Sequence, residues 1–238
     1  MLLLALDTCD SRGSLALLRD DEVLQVIAHE GSTDYSSWVL PTVDAALASA
    51  GLQLRDIDIY AVACGPGSFT GVRIALTTAK AWSEAYGKGI ASVSRLEAIA
   101  SQTTGTSEFV AAFADAHREQ LFGALFRREG GALKPVESDM VAAPGDFLNW
   151  VTQRSGSAAI SWISIDPEKL ASHEAWQKRA NAGETVELCT SALAPAIGRI
   201  GRRLALEGRL TDALALDADY VRRPDAEVFW KSKASHGK

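Results

Sequence analysis

The stretch best suited to chemistry is Gly65-Pro66-Gly67-Ser68-Phe69-Thr70-Gly71, which lies between an apolar run and a helical pattern. Glycines there permit positive φ and close backbone approach, and the amides of the following helix start can receive an anion. The other reading is a tight strand-to-helix turn that holds no ligand. Spelling excludes three more. A P-loop ends in Gly-Lys-Ser/Thr, whereas Gly71 is followed by Val72-Arg73. A nucleophile elbow centres its serine in Gly-x-Ser-x-Gly, and Ser68 stands one place early. A zincin needs HExxH, but Gln177 occupies the second histidine position after His173-Glu174.

Other candidates are sparser. Asp7-Thr8 follows a buried run and could contact a metal-bound phosphate; alternatively Asp7 caps its own turn by accepting backbone N–H groups. No second carboxylate is placed by motif to complete a magnesium site. Arg73 could pair with an anion or a partner's carboxylate, or with a carboxylate of this chain. Asp115 and Arg118 could form a local ion pair that shapes a cleft. His29, His117 and His236 are isolated, and Cys9, Cys64 and Cys189 are widely spaced with no CxxC pair. This pattern offers neither a disulfide framework nor a zinc knuckle, and no metal or cofactor is expected.

These residues need elements to position them. Leu2 to Leu6 reads as a central strand, with Gly13 to Leu18 and Val23 to Ala28 as two more joined by the turn Arg19-Asp20-Asp21-Glu22. Ser32, Thr33 or Asp34 caps a helix to about Ala50, interrupted by Pro41 and stopped by Gly51. Ile57 to Cys64 is a second buried strand, the glycine loop follows, and a helix runs from about Val72 to Tyr86. Ile90 to Val93 is a strand and Arg95 to Ser101 a short helix. Thr103 to Ser107 reads as a hinge. Beyond it come strands at Phe109 to Ala114, Leu121 to Phe126 and Ala132 to Glu137, and a helix from Gly145 to Val151. A strand at Ile160 to Ile165 and a helix from Glu168 to Ala180 follow. A final helix spans Ala192 to Glu207.

In the helix after the glycine loop, Val72, Ala75, Leu76, Ala79 and Tyr86 share one face, while Ile74, Ala81, Trp82 and Ala85 carry apolar character around the cylinder. Such a helix is covered on more than one side. The second cover is the preceding helix, burying it completely within the chain, or another chain.

At 238 residues, 47% hydrophobic and 23% charged, with mean hydropathy +0.02, the chain is long enough for a sizeable core and reads as globular. The opening run lacks a basic leader and reads as a strand rather than a secretory signal; no membrane span is expected, and a reducing cytoplasm fits. The formal net charge of −6 makes a poor stand-alone nucleic-acid binder, since phosphate affinity comes mainly from Lys and Arg. Arg222-Arg223 with Lys231 and Lys233 is a small basic cluster that could assist a complex.

Several segments together resemble the TsaB (YeaZ) family of the glycoprotease-like group. They are Leu4-Ala5-Leu6-Asp7-Thr8, Ser36 to Pro41, Ile57 to Ile74 with GPGSFTG, Ser94 to Ala98, Ala114 to Arg118, and Ala218 to Arg222. The match covers roughly the first 130 residues and the end of the chain; Lys134 to Thr190 carries no recognised motif. Where the family often has His-Ser-Glu, this chain has Tyr35-Ser36-Ser37, so no histidine can act there.

The resemblance implies an α/β chain with an actin-like ATPase fold in two βββαβα-type halves. One comprises residues 1–103 with 191–238, the other 104–190. It implies a vestigial nucleotide or anion site at Asp7, Thr8, Gly65, Gly67, Ser68, Thr70, Gly71 and Arg73. The function implied is a non-catalytic scaffold for a TsaD-like threonylcarbamoyltransferase in tRNA modification, with a TsaE-like ATPase as further partner and tRNA met only through the complex. A partner would dock on Leu40, Val43, Leu47, Leu76, Ala79, Ala81 and Trp82, and a second copy could take that place when the chain is alone. The competing readings are an ATP-dependent kinase or phosphotransferase of the same fold and, more remotely, a peptidase.

Overall fold

A computed structural model describes residues 1–29 and 33–217. The segment that ends the chain, with its basic cluster, His236 and the Ala218 to Arg222 motif, lies outside the described residues, as does the candidate cap Ser32.

The first half runs β1 (Leu2–Asp7), β2 (Ser14–Arg19), β3 (Glu22–Ala28), α1 (Tyr35–Ser49), β4 (Ile59–Ala63), α2 (Phe69–Tyr86), β5 (Gly89–Val93) and α3 (Arg95–Ala100). Its sheet has the order β3-β2-β1-β4-β5, antiparallel through β3-β2-β1 and parallel through β1-β4-β5. The continuous apolar run of β1 suits a strand covered on both faces. One face receives α1 and α2; the other receives α7 (Ala194–Leu206) from the far end of the chain.

The second half repeats the plan with β6 (Phe109–Asp115), β7 (Leu121–Glu129), β8 (Ala132–Pro135), β9 (Met140–Ala142), α4 (Pro144–Ser155), β10 (Ile160–Ser164), α5 (Glu168–Ala171), α6 (Gln177–Asn181) and β11 (Val186–Leu188). The order β8-β7-β6-β10-β11 is the same strand order as in the first sheet, with β9 added on β7. Helix α3 packs on β6, β7, β10 and α7, so one apolar core runs through both sheets, and Phe147, Trp162 and Trp176 anchor a second core under α4. The duplicated βββαβα order is that of an actin-like ATPase fold.

Three local expectations need correction. Helix α2 starts at Phe69 rather than Val72, because Ser68 caps it and accepts the Gly71 amide at 3.4 Å. The single helix expected over Glu168 to Ala180 is broken: His173 adopts an extended backbone, and a 3-10 turn at Glu174–Trp176 intervenes. The break lets Trp176 bury edge-on against Trp162, with centroids 5.3 Å apart. The strands β9 and β11 were not expected, being too short at three residues each to show a period.

Candidate functional site

The turn after β1 and the glycine loop after β4 lie against each other because β1 and β4 are parallel neighbours. Their contact brings the two backbones close. The Thr8 hydroxyl donates to the Gly71 carbonyl at 2.6 Å, and the Ser68 amide donates to the Cys9 carbonyl at 2.6 Å. A Cβ added to Gly71 would stand 1.9 Å from the Thr8 carbonyl oxygen, and one on Gly67 2.3 Å from that of Cys9. Close approach is therefore what these glycines provide.

Asp7 is completely buried. Its carboxylate accepts the Cys9 amide at 2.9 Å and the Arg95 Nε at 3.3 Å, and Arg95 is itself 2% exposed. The Arg95 amide donates to the Gly65 carbonyl at 2.7 Å, so the glycine loop also seats the first residue of α3. The Arg95 guanidinium extends to Asp10, with Nη2 at 2.5 Å from the carboxylate. Burial alone would lower the pKa of Arg95; Asp7 and Asp10 outweigh it and raise it. Burial pushes Asp10 up, yet Arg95 and the Arg12 amide hold its carboxyl below the ordinary range. Burial, then Asp7, keeps the Cys9 thiol well above its usual value, which makes it a poor nucleophile.

The network continues into the second half. Arg12 reaches Asp10 at 3.2 Å, Asp166 at 2.9 Å and the Ile165 carbonyl at 3.4 Å. Asp166 also accepts the Asp115 amide at 3.1 Å, and the Asp115 carboxylate pairs with Lys169 at 2.8 Å. Tyr35, which stands where the family often has histidine, donates its hydroxyl to the Asp10 carbonyl at 2.5 Å and accepts the Gly13 amide at 2.6 Å. Burial raises its pKa to about 12, so the donor proton is retained.

The candidate site residues thus separate. Asp7, Thr8, Gly65, Gly67 and Gly71 come together in one packed turn, while Ser68 and Thr70 stay exposed at the start of α2. Arg73 points outward with its guanidinium over the Phe69 ring at 3.7 Å. Of the seven candidate docking residues, Leu40, 53% exposed, and Ala81 lie on the outer face. Val43, Leu47, Leu76, Ala79 and Trp82 are buried within the chain, because these positions are the ones that α1 and α2 turn toward their own sheet. The outer groove between the helices, about 530 Å³, is lined by Tyr35, Leu40, Phe69, Arg73, Ile74 and Thr77 among others.

Sequence reasoning did not single out Asp10, Arg12, Arg95 or Asp166. For Arg95 a signal existed: an arginine opening the short Arg95–Ala100 helix, whose other residues apart from Glu97 are apolar, needs a carboxylate partner if the helix is to be buried. Among the described residues, no group of three or more His, Cys, Asp or Glu is arranged to hold a metal ion, and no helix is long and apolar enough to cross a membrane.

Known proteins match this arrangement. The family model described as TsaD, tRNA N6-adenosine threonylcarbamoyltransferase, matches residues 26–198, a span that includes the Lys134 to Thr190 segment without recognised motifs. The tRNA threonylcarbamoyladenosine biosynthesis protein TsaB of Bacillus subtilis (strain 168) is 26% identical over 97% of this chain and 98% of its own length. The protein of the same name from Escherichia coli (strain K12) is 30% identical over 69% of this chain and 71% of its own. The structure of YeaZ from Pseudomonas aeruginosa superposes with a TM-score of 0.68 at 22% identity, covering 92% of this chain and 99% of that one, and so shares the fold. On these matches, the chain belongs to the TsaB (YeaZ) family, within the wider group that the TsaD family model describes.

Proposed function

We propose that this chain is the non-catalytic partner subunit in threonylcarbamoyladenosine modification of tRNA, supporting a TsaD-like threonylcarbamoyltransferase. The observation that carries this reading is the engagement of Asp7. In the actin-like fold that turn faces a nucleotide, yet here its carboxylate is buried and occupied by Arg95 and the Cys9 amide. The glycine loop, closed against Thr8 and Cys9, then serves as a structural turn and the nucleotide site is vestigial.

The docking surface in this reading is the outer face of α1 and α2, around Leu40, Ile74, Thr77 and Ala81, with Arg73 at its edge. A stable pairing of two helices with two equivalent helices buries on the order of 1,600 Å² in total. A two-fold contact of this kind is self-complementary, so a second copy occupies the face when the chain is alone. A TsaE-like ATPase joins the complex, tRNA is contacted mainly by the other subunits, and the assembly works in the cytoplasm. Residues 1–103 with 191–238 form one structural unit in this reading, and 104–190 the other.

The test is co-purification with the TsaD-like protein of the same organism. Wild type should co-elute, and Leu40→Glu, which places a charge on the outer face, should not. Unimpaired co-elution of Leu40→Glu would remove the assigned surface, and absence of any complex with wild type would remove the scaffold reading. Steady ATP turnover by the chain alone, lost in Asp7→Asn, would establish the kinase reading instead.

A further inference from the structure

We propose that Tyr35 is a positioning residue that couples helix α1 to a polar clamp between the two halves of the molecule. Three links make the coupling. First, Tyr35 opens α1 and lines the outer groove, its ring held by His29 at 4.5 Å and Trp38 at 5.9 Å between centroids. Second, its hydroxyl bonds both ends of the Asp10 to Gly13 loop, accepting the Gly13 amide and donating to the Asp10 carbonyl. Third, that loop carries Arg12, whose guanidinium crosses to Asp166 and the Ile165 carbonyl in the second half. The halves also meet through the apolar contacts of α3 with β6, β7 and β10. Arg12 adds a directional contact to that apolar seam, and its reach depends on where the loop is held.

The clamp has a reporter on each side. In the second half, the Asp115 amide donates to the Asp166 carboxylate at 3.1 Å and the Lys169 amide to the Asp166 carbonyl at 3.1 Å. In the first half, the Gly13 amide reports the loop. A Tyr35 that merely pins its own helix would influence Gly13 and α1 and leave Asp115 and Lys169 alone. A coupling residue moves both, and the effect is reciprocal.

The experiment is amide hydrogen exchange on the full chain, read residue by residue by NMR, with no partner present; its outcome is therefore independent of the docking reading. Tyr35→Phe removes only the hydroxyl. The amides of Asp115 and Lys169 should exchange about fivefold faster, the effect of losing roughly one net hydrogen bond from the local opening equilibrium. Arg12→Gln should accelerate the same amides, and adding Tyr35→Phe to it should accelerate them no further. In the other direction, Asp166→Asn should speed exchange at Gly13. Wild-type rates at Asp115 and Lys169 in Tyr35→Phe, or multiplying factors in the double variant, would overturn the proposal. If Tyr35→Phe fails to fold, the Gly13 amide in Asp166→Asn decides alone: faster exchange supports the coupling and an unchanged rate refutes it.

Discussion

Replacing Arg95 with methionine tests whether Asp7 is a sealed internal anion. Methionine keeps the long apolar stem and removes the guanidinium. With Arg95 2% exposed and Asp7 fully buried, the variant strands a carboxylate that water cannot reach. Removing one partner of a buried ion pair typically destabilises by about 3–5 kcal/mol. With a urea slope of about 3 kcal/mol/M, that lowers the unfolding midpoint by about 1–1.7 M. The Cys9 amide remains as a donor to Asp7 and cannot compensate a full charge. Asp7→Asn in the same background removes the stranded charge, so the double variant should recover about 2 kcal/mol relative to the sum of the two single changes. Urea unfolding of wild type, both single variants and the double variant measures this directly. A loss below about 1 kcal/mol for Arg95→Met, or additivity of the two changes within about 0.5 kcal/mol, would refute the sealed-anion argument. It would also return Asp7 to the pool of residues free to meet a ligand.

Further expectations rest on the same contacts. Gly71→Ala puts a Cβ 1.9 Å from the Thr8 carbonyl oxygen, so the turn must move; overpacking of this kind costs about 1–3 kcal/mol, visible as a melting temperature lower by about 5 °C. Ala79→Glu should destabilise strongly by burying an unpaired carboxylate, whereas Ala81→Glu, two residues on, should stay within about 0.5 kcal/mol of wild type in the same melt. Asp10 has a depressed folded-state pKa, so its contribution is fully present above its unfolded value of about 3.9 and is lost as pH falls through the lower folded value. Asp10→Asn should accordingly be less stable than wild type at pH 7, with the gap closing as pH drops below about 4 in acid unfolding curves.

The sequence displayed some of this plainly. The run Leu2 to Leu6, polar at neither alternate position, announced a strand buried on both faces, and GPGSFTG between apolar segments announced a strand-to-helix turn. Other features depend on distance along the chain. Asp7 and Arg95 stand 88 positions apart, and Arg12 and Asp166 are 154 apart, so no local pattern pairs them. Helix α2 shows a different limit. Its small and apolar residues spread around the cylinder, and periodicity, which sets Ala79 and Ala81 on different faces, does not tell which of the two is buried. At His173 the helical pattern continues while the backbone breaks, because burying Trp176 against Trp162 outweighs local propensity.

The return of α7 to the first sheet carries a consequence for biosynthesis. Its residues 194–206 cover β1, β2, β4 and β5, and the Ala194 amide donates to the Ser14 hydroxyl at 3.0 Å across 180 positions. A ribosome that has released the first hundred residues has therefore delivered a sheet with one apolar face uncovered. That face stays open until the nascent chain has grown by about as many residues again, a delay of several seconds or more at ~5–20 residues per second. During that interval the second half can close on its own core, while the first is a substrate for chaperones and for aggregation. Order of emergence thus runs against order of completion: the part of the protein made first is finished last.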